Sequence, residues 1–369
     1  MSIVEHVRVR LLHLPNAMDL KRPVGTIRDR FYLVAEVHSS AGSCGIAYAR
    51  AYDVATARAS LAYAEQLAQC LVGMRTASTG RAHEDMKEYL RIVGVHGPQM
   101  YALSTLDSAL WDAKAQDCGL PLHRLLGGLR ESIPAYHSGG WLSNGPQETA
   151  REFARLTQEG FGAAKLRVGA KHLAEDTARL AAAREVFDGE IMLDASEAWT
   201  VPQAVRAIEA FRPYNPHCVE DPVAMRDAPR LAGRVKLSIA GGEHVHGVEE
   251  AAEKIASGAY DYTVVDLQRI GGVTGWAQVS AIAQNAGRQI LSHVFSELAA
   301  PLLCGLPAGG YVEYLAWTSE LFEETVHPVD GMIRCSEKPG FGLRFDQDFL
   351  RRYCVGDASA AVATRLTGT

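Results

Sequence analysis

The feature that most constrains the fold is an alternation of two segment types from about residue 133 onwards. Short apolar runs, each long enough for one strand, alternate with amphipathic segments of helical periodicity. The apolar runs are AAKLRV, EIMLDAS, HCVEDPV, LSIAGGE, YTVVDLQ, QILSHV and YVEYL. This alternation is typical of βαβ units, in which helices cover a parallel sheet. So many units within about 200 residues predict an α/β fold with a (β/α) barrel, and an open doubly wound sheet is the alternative.

The first 130 residues have a different pattern. VRVRLLHL, RFYLVAEVHS and GSCGIAYA predict three strands, and helical stretches follow them as far as LPLHRLLGG. Because strands and helices are segregated here, we expect a smaller α+β unit before the barrel.

Composition narrows the class of partner. A net charge of -6 argues against a nucleic-acid partner, which would require a basic surface. The chain has no apolar run long enough for a membrane span and no leader-like start, so we expect no membrane association and a cytoplasmic location. Its 7 cysteines are scattered without a CxxC pair, which is typical of reduced thiols. A small molecule is therefore the expected partner.

Ionisable residues end nearly every apolar run. In order along the chain they are Lys165 with Arg167, Asp194, Glu220, Glu243, Asp266, His293 and Glu313. The carboxyl ends of barrel strands meet at one mouth, where the active sites of such barrels lie. A single carboxylate after a strand is often only a helix N-cap, but the repetition favours one shared site.

Two groupings within this series have chemical meaning. Asp194, Glu220 and Glu243 supply three carboxylates from three consecutive strands, and such hard oxygen ligands suit one Mg²⁺ ion. Without a cation, their mutual repulsion would be costly. Asp266 and His293 follow the next two strands, and a carboxylate bonded to one imidazole nitrogen raises the basicity of the other. A base beside a metal ion is the expected arrangement.

Taken together, these residues resemble the mandelate racemase subgroup of the enolase superfamily. The segments ALWDAKAQDCGLPLHRLLGG, RIGGVTGW and SHVFSELAA also resemble that family, and the likeness covers nearly the whole chain. The resemblance implies a (β/α)7β modified TIM barrel over residues 131–329. It also implies an N-terminal α+β capping domain over 1–130, joined by the C-terminal segment from about 330 to 369. We also expect a homo-oligomer.

The resemblance further implies a chemistry. Family enzymes remove the proton alpha to a carboxylate and stabilise the resulting enediolate with Mg²⁺. Lys165, and Glu313 if it is protonated, would complete an electrostatic clamp on the substrate carboxylate. Ser138 matches a family position that contacts this carboxylate, and a turn serine is the alternative.

Arg167 departs from the family's racemases, which carry a second lysine at this place as a base. Arginine keeps its proton at ordinary pH, so Arg167 is expected to act in catalysis as a fixed cation or a positioning residue, and a base is the alternative. His293 is then the one base, and we expect β-elimination, the dehydration of an acid sugar to a 2-keto-3-deoxy acid. A racemase or epimerase of a 2-hydroxy acid is the alternative, and a non-catalytic binding protein is a third possibility.

The loop NAMDLKRPVGTIRDR is expected to close over the substrate. Its cations, among them Arg22 as a substrate contact, suit a polyhydroxy acid or a diacid, although a solvated charged loop is the alternative reading. In EHVHG, His244 and His246 are expected to form a polar loop and not to bind the metal.

Overall fold

The computed structural model describes residues 2–15, 20–22 and 25–361, without the side chains of 20–27 and 316–318. The strands are β1 Val4–Leu14, β2 Leu20–Arg22, β3 Gly25–Ile27, β4 Arg30–Ser39, β5 Cys44–Ala51, β6 Ser132–Ser138, β7 Ala163–Arg167, β8 Glu190–Asp194, β9 Cys218–Glu220, β10 Ser238–Gly241, β11 Tyr262–Asp266, β12 Gln289–His293, β13 Gly309–Tyr314, β14 Met332–Arg334 and β15 Cys354–Ala361. The helices are α1 Val54–Leu71, α2 Thr79–Leu90, α3 Pro98–Asp117, α4 Leu122–Leu125, α5 Pro146–Gln158, α6 Leu173–Arg184, α7 Val201–Phe211, α8 Ala228–Leu231, α9 Gly247–Ala256, α10 Gly272–Asn285, α11 Ser296–Gly305 and α12 Gln347–Tyr353.

The N-terminal unit is built on an antiparallel sheet in the order β15-β1-β4-β5. The edge strand β15 comes from the C-terminal part of the chain, and its Ala358 pairs with Val9 of β1. Helix α3 is buried on nearly all sides because it packs on both β5 and α10. The Trp111 indole of α3 donates a 2.8 Å hydrogen bond to Thr274 of α10. This helix therefore joins the sheet to the rest of the molecule.

The second unit is a closed barrel. Strands β6 to β13 run parallel in chain order, and β13 pairs with β6 to complete the ring. A helix follows each of β6 to β12 in the described chain. The prediction of a (β/α)7β barrel with an N-terminal α+β unit is confirmed, and the alternative of an open doubly wound sheet is wrong. The domain boundary at residue 130, with residues from about 330 counted with the first unit, stays a prediction.

The barrel interior explains why the polar residues meet. A buried apolar cluster fills its lower part with Tyr136, Ala163, Met192, Cys218, Ala240, Val264 and Leu291. Side chains two positions apart in a strand face the same side. The residues two positions after the cluster residues are therefore directed into the mouth. In six of the seven strands that contribute to the cluster, these residues are polar: Ser138, Lys165, Asp194, Glu220, Asp266 and His293.

Two further observations concern the predictions of no membrane association and of an N-terminal loop over the substrate. Among the helices of the described residues, none has the length and apolar character needed to cross a membrane. The N-terminal loop contains the two-stranded hairpin of β2 and β3, whereas its residues 16–19 and 23–24 lie outside the described part of the chain.

Candidate active site

The ends of neighbouring strands bring the predicted residues together. Asp194 is aligned with Arg167 on one side and with Glu220 on the other, and Asp266 is aligned with His293. Glu243 differs because it lies two residues beyond the end of β10, in the loop that leads to α9. Strand register thus places most of the site, and one loop places the rest.

Lys165 lies at the centre of the carboxylates and is only 2% exposed. Its Nζ is 2.9 Å from Glu220 Oε2, 3.1 Å from Glu313 Oε1 and 3.7 Å from Asp194 Oδ2. Burial alone would lower the pKa of Lys165, but the carboxylates of Glu220 and Glu313 raise it well above its ordinary value. The side chain is therefore an ammonium group, paired with three carboxylates.

Glu220 shows that the Lys165 ammonium does not neutralise the negative charge of the carboxylates around it. Its Oε1 is buried and has no hydrogen-bond partner among the described residues. Burial, reinforced by Asp194 and Glu243 and opposed by Lys165, raises the pKa of Glu220 to about 8. An orphaned carboxylate oxygen beside two further carboxylates is what a divalent cation would satisfy. By the chemistry of its donors, the set of Asp194, Glu220 and Glu243 thus suits Mg²⁺.

A second group of possible ligands lies beside this set. Side-chain atoms of Asp221, Glu243 and His244 are within 4.8 Å of one another, and among the described residues the set of Asp194, Glu220 and Glu243 is not as compact. However, Arg269 Nη1 donates to His244 Nδ1 at 2.8 Å, so the proton of the neutral ring is on Nε2. That nitrogen lies 3.3 Å from Glu243 Oε1, where it acts as a donor. In this arrangement His244 donates to Glu243, and its place in a polar loop outside the metal site stays a prediction.

Asp266 and His293 form a close pair. Asp266 Oδ2 is 2.6 Å from His293 Nδ1, and its Oδ1 accepts the backbone N–H of Gln268 at 2.9 Å. The pair leaves His293 Nε2 directed to the mouth, 3.4 Å from Glu243 Oε2. Burial lowers the pKa of His293, but the carboxylates of Glu243 and Asp266 outweigh burial and raise it to about 10. The two carboxylates beside the ring therefore favour its imidazolium form.

Glu313 is surrounded by hydrogen-bond donors. It accepts from Ser138 Oγ at 2.6 Å, from the Val294 backbone N–H at 2.7 Å and from Lys165 Nζ. Burial raises its pKa, but Lys165 and His293 outweigh burial and lower the pKa of Glu313 to about 2. Glu313 is thus an ionised acceptor here, and the condition under which it could donate to a substrate is not met.

Arg167 is held entirely by protein groups. Its Nη1 donates to the Gly139 carbonyl, and its Nη2 donates to Ser138 Oγ at 3.3 Å. Nε lies 3.9 Å from Asp194 Oδ2. The ring of Trp141 is centred 3.8 Å from the guanidinium carbon, which is a cation–π contact. Arg167 is therefore a fixed cation in this structure.

Two substrate contacts expected from the sequence have different outcomes. Ser138 is buried in the mouth, where its hydroxyl connects Arg167 to Glu313. Arg22 ends β2, but its side chain lies outside the described part of the structure.

Family models match most of the chain. The model for the mandelate racemase/muconate lactonizing enzyme N-terminal domain matches residues 6–127, and the enolase C-terminal domain-like model matches residues 148–349. The chain belongs to the mandelate racemase/muconate lactonizing enzyme family. The resemblance inferred from the sequence is confirmed.

Relatives within this family are lyases and isomerases. The chain is 29% identical to the L-talarate/galactarate dehydratase of Salmonella typhimurium over 94% of its length and 90% of the relative. It is 28% identical to the 3,6-anhydro-alpha-L-galactonate cycloisomerase of Streptomyces coelicolor over 96% of its length and 100% of the relative. The L-talarate dehydratase from Polaromonas sp. JS666, crystallised with Mg and L-glucarate, superposes with a TM-score of 0.93 at 27% identity, covering 98% and 100% of the two chains.

Sequence reasoning missed three residues around this family site. Trp141 and Arg179 surround the end of β7, and Arg269 bridges Glu243 and Asp266. Arg269 donates to the Glu243 carbonyl, and its Nε lies 3.9 Å from Asp266 Oδ2. The tryptophan in SGGW, directly after a strand, was the one available signal, because the two arginines resemble ordinary surface residues of a helix and a turn.

Proposed function

We propose that this family member dehydrates an acid sugar to a 2-keto-3-deoxy acid. The observation that carries the proposal is that His293 and Arg167, on opposite sides of the mouth, differ in their ability to accept a proton. The His293 imidazole presents Nε2 to the mouth, where among the described residues it faces only the proposed metal ligand Glu243 at 3.4 Å, whereas the Arg167 guanidinium on the other side donates to Ser138 and the Gly139 carbonyl. A single base removes a proton from one face only, which suits elimination better than inversion.

In this proposal Asp194, Glu220 and Glu243 hold Mg²⁺, which the dehydratase from Polaromonas sp. also carries. The bound ion supplies Lewis-acid stabilisation of charge that develops on the substrate carboxylate. A cation on Glu243 also cancels the attraction that keeps His293 protonated. We therefore expect His293 to be unprotonated, and able to act as a base, only when a cation is bound to these three carboxylates.

The residues then divide the work as follows. His293 Nε2 accepts the proton alpha to the carboxylate, and Asp266 stabilises the imidazolium that forms. The C–H electron pair forms the double bond of an enediolate. These electrons then shift to the bond between the α- and β-carbons as the C–O bond at the β-carbon breaks, and the departing hydroxyl takes the proton from the His293 imidazolium and leaves as water. The enol product then tautomerises to the 2-keto acid. Lys165 remains protonated throughout and stabilises the carboxylate charge.

Racemisation or epimerisation of a 2-hydroxy acid is the alternative. It requires a second base opposite His293, and Arg167 occupies the position that such a base would take. A non-catalytic role is disfavoured because the three carboxylates, the Lys165 ammonium and the pair of Asp266 and His293 all lie in one mouth.

A library of aldonic and aldaric acids tests the proposal. Each acid is incubated with the protein and Mg²⁺, and the release of a 2-keto acid is measured with semicarbazide. We expect release from a small set of acids, abolished by a chelator and restored by Mg²⁺. Epimer formation without any keto acid would favour the alternative, and no reaction with any acid would contradict both.

A further inference from the structure

The β6–α5 loop and the ends of β6 and β8 hold the guanidinium of Arg167 on one face and along its edge. Trp141 covers one face at 3.8 Å, while carbonyl, hydroxyl and carboxylate oxygens of Gly139, Ser138 and Asp194 line its edge. Arginine in a partly solvated mouth has many rotamers, and a stacked ring with edge acceptors selects one of them.

The backbone of this loop is tied to β7 by a buried arginine. Arg179 of α6 is 3% exposed. Its Nη1 donates to the Arg167 carbonyl at 2.8 Å, and its Nη2 donates to the carbonyls of Gly140 and Trp141 at 2.8 and 2.9 Å. One guanidinium thus fixes the main chain of both partners in the stack.

Gly140 allows this close approach. It has a φ of +62°, and a Cβ at this position would lie 2.6 Å from the Lys165 carbonyl oxygen. Its own carbonyl accepts the Arg167 backbone N–H at 2.9 Å. The stack is therefore a consequence of the loop's backbone and does not depend on a surface rotamer.

The contacts continue from the stack to the reacting groups. Arg167 donates to Ser138 Oγ, Ser138 donates to Glu313, and Glu313 accepts from Lys165. Trp141 lies at the outer end of this series. We propose that Trp141 is a positioning residue, which acts on turnover by holding the Arg167 guanidinium against Ser138 and Asp194.

This inference rests on the proposed function, and a double-mutant cycle tests it. The proteins are the wild type, Trp141→Leu, Arg167→Met and the double variant, assayed with Mg²⁺ and the best acid from the library. We expect Trp141→Leu to lower kcat by about tenfold, with KM and Mg²⁺ affinity changed less than about twofold. In the Arg167→Met background, the same substitution should leave kcat unchanged, because the group that Trp141 positions is already gone.

Two further variants separate positioning from packing. Trp141→Phe keeps an aromatic face and should retain most of the kcat. Trp111 provides a matched control, since its ring also carries a cation, Lys114 Nζ at 4.1 Å, but it joins α3 to α10 away from the mouth. Trp111→Leu should leave kcat unchanged. If Trp141→Leu does not fold, Trp141→Met takes its place in the cycle.

The outcomes are distinguishable. Equal losses of kcat from Trp141→Leu in both backgrounds would show that the ring only packs the loop, and an unchanged kcat in the single variant would equally overturn the inference. Both results leave the dehydratase proposal standing. A wild type inert towards every acid sugar would overturn the two proposals together.

Discussion

Asp266 Oδ2 lies 2.6 Å from His293 Nδ1, and this contact determines which imidazole nitrogen faces the mouth. Asp266 is itself held by the backbone N–H groups of Gln268 and Arg269, at 2.9 and 3.2 Å. The carboxylate is thus an acceptor on both oxygens. His293 can only donate to it, which leaves Nε2 as the position for a proton in transit.

Asp266→Asn should lower kcat by a factor of about 10² to 10⁴, because an amide no longer selects the Nδ1–H tautomer or stabilises the imidazolium. Mg²⁺ affinity, measured by calorimetry, should stay within a few-fold of the wild type. Asp357→Asn, which breaks only the exposed pair with Arg8, serves as the control. An unchanged rate and pH profile for Asp266→Asn would remove the pair from the mechanism.

Glu243→Gln should weaken Mg²⁺ binding by at least about 100-fold, since a neutral amide replaces one of three proposed anionic ligands. Calorimetric titration of chelator-treated protein measures this without any need for substrate. Glu253→Gln, on the exposed face of α9, should bind Mg²⁺ as the wild type does. Equal affinity in the two variants would place the ion elsewhere.

Asp112 gives the fold a pH dependence. It is fully buried on α3 and accepts from the backbone N–H groups of Ile46 and Phe341 and from Gln116. Burial, opposed by these bonds, raises the pKa of Asp112 to about 7. A raised carboxyl pKa means that the folded state binds this proton more tightly than the unfolded state does.

The contribution of Asp112 is therefore complete below about pH 4 and declines as the pH rises to about 7. The free energy of unfolding in urea, wild type minus Asp112→Asn, should fall by up to a few kcal/mol over this window. Parallel pH curves for the two proteins would show that the pKa is not raised.

Arg179→Met should lower the free energy of unfolding by about 2–4 kcal/mol, because three carbonyls and the buried Asp176 lose their donor. Arg206→Met, on the exposed face of α7, should change it by less than about 0.5 kcal/mol. Similar urea midpoints for the two variants would contradict a structural role for Arg179.

Much of the site could be predicted because strand periodicity carries it. Met192 with Asp194 and Leu291 with His293 are pairs of inward-facing residues two apart, and a parallel barrel turns such pairs into a ring. The same reasoning located Glu243 only approximately, because this residue lies beyond its strand.

Residues set by loop geometry could not be predicted. The Trp141 stack depends on the left-handed conformation of Gly140, and the support of Glu243 by His244 depends on a donor from Arg269. The charge of Glu313 was left open for a related reason, since its three donors come from three different segments. Pairings of this kind appear only when the chain is folded.

Exchange of the α-hydrogen tests the central claim, that His293 is the one base. Each α-epimer of an accepted acid is incubated in deuterated water with wild type, His293→Asn or Arg167→Lys, and proton NMR follows the α-signal. We predict that the wild type exchanges or dehydrates one epimer only, that His293→Asn does neither, and that Arg167→Lys allows slow exchange of the second epimer. Exchange of both epimers by the wild type, with one still exchanged by His293→Asn, would contradict the account and make Arg167 a working base.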